Sequence, residues 1–276
     1  MEKEDGMGYI RPIFGGLIAA ALACGTALAA PITVTWDPAA PGLNANVSSI
    51  TQNNQVVSDF STTIINPTTG AFTDTGYLPI TQFQLNGAGV SNGGLTSSYS
   101  LYYNFTATGT FSYNGSPGFN PSGTDTATFT SLTYSLIGAN GGASFTFAGS
   151  TANPTISGTT GATTLASGVL SPSGGSSGTV VSGLPSAQVF ATFVPNSSES
   201  GFFIAPPVSG YVGLNLDSAF TNTSSVVTVS SSGGDYYLQV DGGGGDANFA
   251  VPEPSSLALL GVGLLGLGLM FRPKAV

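Results

Sequence analysis

The charged side chains available between residues 30 and 251 are all carboxylates: Asp37, Asp59, Asp74, Asp125, Glu199, Asp217, Asp235, Asp241 and Asp246. Two such groups facing each other across a glycosidic bond can cleave it, one as acid and one as base or nucleophile. Little else is open to this stretch, because it holds no Lys, Arg, His or Cys. Without His there is no Ser-His-Asp triad and no imidazole base. Without His and Cys there is no usual zinc site. Without Lys there is no Schiff base, and without Lys or Arg nothing clamps a phosphoryl group. Sugar hydrolases also grip their substrates with several Trp and charged residues, and Trp36 is the single tryptophan. The expectation is therefore a protein that is not an enzyme, with no catalytic residue and no cofactor. Nucleic acid is excluded as a partner, since no cation is present to meet phosphate.

A second chemical possibility lies in Asp241-Gly242-Gly243-Gly244-Gly245-Asp246-Ala247-Asn248. Asp241, Asp246 and Asn248 carry the oxygens that a calcium loop would need. Their spacing matches neither an EF-hand nor the repeated nonapeptide of calcium β-rolls. Residues 241–251 are accordingly read as a Gly-rich stalk, and no metal is expected.

The elements that position these residues read as strands. Leu101, Tyr103 and Phe105 alternate with Tyr102, Asn104 and Thr106, and Val189, Ala191 and Phe193 alternate with Gln188, Phe190 and Thr192. Tyr236, Leu238 and Val240 likewise alternate with Tyr237, Gln239 and Asp241. Further runs at 31–36, 60–65, 77–85, 109–113, 126–137, 145–147, 202–205, 211–216 and 225–230 are rich in Thr, Val, Tyr and Phe. Weaker ones flank the linker-like Ser171–Gly178, at 162–169 and 179–181. Asn-Gly and Pro-Thr-Thr-Gly turns punctuate them. The expected fold is all-β, an antiparallel sandwich of two sheets over residues 30–240.

Both ends of the chain read as addresses. Ile13–Ala23 is apolar, with Arg11 before it and Ala27-Leu28-Ala29 after it. This is a signal peptide over residues 1–29, cut after Ala29 by a signal peptidase of the general secretion machinery. Translation is read as starting at Met7, because residues 1–6 are too acidic for a signal peptide's first segment. Removing the signal peptide also removes Cys24, the only cysteine. At the other end, Pro252, Glu253 and Pro254 precede an apolar run that closes on Arg272 and Lys274. The run is short for a transmembrane helix, which wants about 20 residues. It still supports transient insertion through 255–271, with the two bases staying in the cytoplasm. The prolines end the helix and hold the strip before it extended.

This three-part end over residues 252–276, opening Val251-Pro252-Glu253-Pro254-Ser255-Ser256, resembles the PEP-CTERM sorting signal of Gram-negative bacteria. The resemblance implies an exosortase-type membrane protease as partner and an intermediate in the inner membrane. It also implies delivery to the cell surface or extracellular matrix, where exopolysaccharide is made. The segments 97–111 and 201–220 are similar to PEP-CTERM proteins linked to flocculation. That likeness implies a role in exopolysaccharide-associated aggregation and brings no catalytic residues. Two alternatives stay open: a β-sandwich lectin assisted by calcium, and a hydrolase using two of the carboxylates.

Overall fold

Thr, Val, Tyr and Phe suit a pleated surface buried on one side, and the runs they dominate form strands. The computed structural model describes residues 31–114, 123–172 and 175–250. In chain order the strands are β1 (Val34–Trp36), β2 (Ile50–Gln52), β3 (Asn54–Ile65), β4 (Ala71–Leu85), β5 (Ala88–Gly89) and β6 (Tyr99–Ser112). There follow β7 (Thr124–Asn140), β8 (Ser144–Phe147), β9 (Pro154–Ser157), β10 (Thr160–Val169), β11 (Ser177–Val181) and β12 (Leu184–Thr192). The last are β13 (Val194–Pro195), β14 (Phe203–Ala205), β15 (Asn215–Thr221), β16 (Val227–Ser232) and β17 (Asp235–Ala250). Single 3-10 turns lie at Ser197–Phe202 and Val208–Tyr211.

The all-β expectation holds, but the strands do not divide into two packed sheets. Eight of them run β11–β12–β15–β17–β3–β4–β6–β7, and β11 then pairs with β7 to close a barrel-like ring. Every pairing in the ring is antiparallel. Closure depends on β7, which splits its pairing along its length. Thr124–Thr128 meets β11, whereas Thr133–Asn140 meets β10. A sandwich and a barrel both require alternation along each strand, so the pattern alone does not separate them.

Inward glycines ease the curvature that closure demands. Gly109 faces Phe72 across the β4–β6 ladder, Gly168 faces Tyr134, and Gly245 faces Phe220. In each pair the ring lies over the bare Cα. A Cβ on Gly109 would come within 2.5 Å of the Phe72 ring, and one on Gly168 within 2.4 Å of the Tyr134 ring.

An apolar cluster lies toward each end of the ring. At one, the small sheet β14–β1–β2 brings Trp36 against Phe202, Phe249 and Phe83, at centroid separations of 4.9, 6.0 and 6.1 Å. The Trp36 Nε1–H donates to the Tyr211 hydroxyl at 2.9 Å. At the opposite ends of the same strands, Ile65, Phe72, Phe111, Val180 and Leu238 form a second buried cluster. Outside the ring, the β8–β9 hairpin lays Phe145 on Phe60, Tyr77 and Tyr102 at 5.1, 5.4 and 5.8 Å. The Gln239 side chain, outside the ring, donates to the Gly149 and Ala152 carbonyls at 2.8 and 2.6 Å. The hairpin explains why Tyr102, on the face opposite Leu101 and Tyr103, is buried as well.

One reading of the sequence is overturned. Residues 241–250 are not a stalk but the second half of β17, paired with β15 on one side and β3 on the other. Four consecutive glycines would be loose in isolation. Here β3 pairs with Gly243, Gly244 and Gly245, β15 pairs with Gly244 and Gly245, and a bulge at Gly242 (φ +83°) absorbs the extra residue. The weak strands expected at 162–169 and 179–181 are present as β10 and β11.

Candidate functional site

Alternation along β3 sends Val57, Asp59, Ser61, Thr63 and Ile65 to one face, and the ring turns that face inward. On β4 the same rule turns Phe72, Asp74 and Leu78 inward. The lumen keeps a cavity of about 130 Å³, with the second apolar cluster forming part of its wall. Its walls are mostly hydrocarbon, with Phe105, Phe129, Leu132, Val189, Leu216 and Phe220 among them. Asp59, Asp74 and Asn222 stand in this wall.

These polar groups are unusual in what they lack. Asp59 is 8 % exposed and Asn222 6 %. The Oδ1 atoms of Asp59, Asp74 and Asn222 are out of contact with solvent, and none has a hydrogen-bond partner. Asn222 spends its Nδ2 on the Pro185 carbonyl at 3.3 Å, which leaves the oxygen as the free end. The nearby phenols are committed elsewhere: Tyr103 donates to Gln55 Oε1 and Tyr134 to the Thr192 carbonyl, each at 2.7 Å.

Burial pushes Asp59 up to about 7, and repulsion from Asp74 adds to the rise. Ser61 and Asn222 favour its ionised form and oppose the shift. Burial also raises Asp74 to about 6, against hydrogen bonding from the Thr63 side chain and the Thr75 backbone. A carboxylate that loses hydration without gaining a cation holds its proton more tightly, and no cation lines this cavity.

Other residues singled out from the sequence fall elsewhere. Asp241 and Asp246 lie exposed on β17 and Asn248 is half-buried. Asp241 and Asp246 are five residues apart on an extended strand, roughly 16 Å, so one ion cannot touch both. Asp246 accepts from Asn54 Nδ2 at 2.8 Å instead. No cluster of three or more His, Cys, Asp or Glu that could hold a metal occurs among the described residues. No helix among the described residues is long and apolar enough to cross a membrane. Ala27, Ala29, Pro252, Glu253, Pro254, Arg272, Lys274 and the segment 255–271 lie outside the described residues.

Comparison with known proteins bears on the tail. Strand β17 ends at Ala250, and residues 250–274 match the PEP-CTERM protein-sorting motif. The chain carries a PEP-CTERM sorting signal. This PEP-CTERM match supports exosortase-dependent sorting of an extracellular protein, implies an exosortase as partner, and implies export toward the cell surface. No curated protein and no solved structure matches the chain. The PEP-CTERM motif takes up directly where the ring ends, so sorting and body are contiguous in the sequence.

Sequence reasoning named Asp59 and Asp74 only among the nine acids and did not pair them. The signal was available in their parity. Asp59 shares its face with Val57 and Ile65, and Asp74 shares its face with Phe72 and Leu78. A charged group in phase with core residues is a group placed inside on purpose or at a cost.

Proposed function

We propose that this is an exported cell-surface or matrix protein whose body, freed of its tail by an exosortase, supports exopolysaccharide-associated aggregation without catalysis. The sorting motif at 250–274 carries this reading. The body's surface chemistry agrees with it. Hydroxyl pairs bridge neighbouring strands on exposed faces, as at Thr35–Thr51 and Thr146–Thr155, separated by 3.0 and 3.3 Å. Such groups bind sugars weakly and at many points, and multivalency multiplies weak contacts. With few charges involved, the adhesion tolerates salt.

The test has two parts. Mass spectrometry of the extracellular form is expected to find a C-terminus lacking Arg272–Val276, and an intact end sinks the sorting step. Deleting the gene is expected to weaken floc or biofilm cohesion while polysaccharide output persists. Unchanged cohesion removes the aggregation role and leaves only the sorting. A single tight hit on a glycan array would turn the reading toward a lectin.

A further inference from the structure

We propose that the lumen of the ring binds a small apolar amine, its ammonium group held by Asp59 and Asn222, which meet beside Gly243, and its hydrocarbon body by the rings and aliphatic side chains of the wall. The inference is independent of the sorting and aggregation readings.

The walls and the polar patch each limit the ligand. A space of about 130 Å³ is near the roughly 150 Å³ of an apolar cavity that takes up benzene, so the body is benzene-sized. Phe105, Leu132 and Phe220 offer it only hydrocarbon. The patch offers the Oδ1 atoms of Asp59 and Asn222, both buried and without a hydrogen-bond partner. Oxygens of that kind want N–H or O–H groups or positive charge. An acid or a phosphate would meet two carboxylates and no cation, so it is rejected. A sugar needs polar partners around its whole rim, and most of this wall is apolar. Calcium takes six to eight oxygens, more than this patch offers. An amine on a benzene-sized body satisfies both regions. It gives a charge-assisted hydrogen bond to the Asp59 carboxylate and buries its ring.

The pH dependence follows from the groups present. The titratable side chains lining the cavity are Asp59, Asp74, Tyr103 and Tyr134. Burial raises both phenols, so they stay neutral donors near neutral pH. Only the two carboxyls change charge between about 5 and 8, and Asp59 must ionise before it can hold an ammonium.

The test is calorimetric titration of the full chain in detergent micelles with benzylamine, and with toluene as its uncharged counterpart. Benzylamine is expected to bind at pH 8 and to weaken about tenfold or more at pH 5, where the carboxyls are protonated. Asp59→Asn is expected to weaken benzylamine about tenfold or more at pH 8 while toluene binds as before, which shows the ring intact. Should that variant lose toluene binding, Asn222→Leu is read by the same two ligands. Toluene binding the native chain as tightly as benzylamine overturns the proposal, as does the absence of saturable benzylamine binding. Displacement of benzylamine by calcium chloride or by a free monosaccharide also overturns it.

Discussion

The Trp36 indole and the Tyr211 phenol depend on each other across 175 residues of sequence. The hydroxyl accepts the only N–H of a fully buried ring, so Tyr211→Phe leaves that donor without a partner. The expected cost is about 1–3 kcal/mol, read by urea unfolding. Asp59 acts in a different direction. Its folded value, about 7, lies above the ordinary 3.8, so the folded state binds the proton more tightly than the unfolded one. Stability is therefore full at pH values below the ordinary value, falls as pH rises through the window to about 7, and is flat beyond. Asp74, raised to about 6, adds the same sign over a narrower window. Melting followed from pH 4 to pH 8 is expected to show this decline, amounting to a few kcal/mol on the order set by the shifts. Asp59→Asn is expected to shrink it. The inward phase of both carboxyls was readable from alternation. That they share a cavity was not, because the register between β3 and β4, and the ring that gathers them, is set by pairing rather than by either strand alone.

At the scale of elements, glycine has two opposite roles in one chain. Gly109→Ala would drive a Cβ to 2.1 Å from the Thr128 carbonyl and into the Phe72 ring. It is expected to destabilise by about 1–3 kcal/mol. Gly149→Ala, with nothing within 4 Å of the added carbon, is expected to stay within about 0.5 kcal/mol. Parallel thermal melts of the two variants check the contrast. The same duality explains why 242–245 reads as a stalk. Composition reports the absence of side chains, which suits a loose linker and a strand under an aromatic ring equally well. What decides is Phe220 on β15 and the backbone partners on β3, all distant in sequence. By contrast the runs 101–106, 188–193 and 236–240 were legible, because each alternates apolar and aromatic side chains that no linker would carry.

For the whole molecule, the sequence favoured all-β architecture correctly but offered no way to choose closure over a sandwich. The deciding contacts are five residues of β11 against the first part of β7, joining segments about 50 residues apart. Closure also sets where the chain can be cut. A chain ending at Ala250 retains every strand pairing described for the ring and is expected to melt as the full chain does. One ending at Val240 strips β15 of its neighbour and is expected to lose its cooperative transition, as circular dichroism would show. Closure has a further consequence for a protein displayed in crowded surroundings. Sheet proteins commonly deter edge-to-edge aggregation with lysines and other charges, and residues 30–251 have no lysine at all. A ring strand flanked on both sides shows no free row of N–H and C=O groups to template another chain. Geometry thus gives the ring strands the protection that lysines give elsewhere, so copies standing side by side find no free edge on the ring itself to extend.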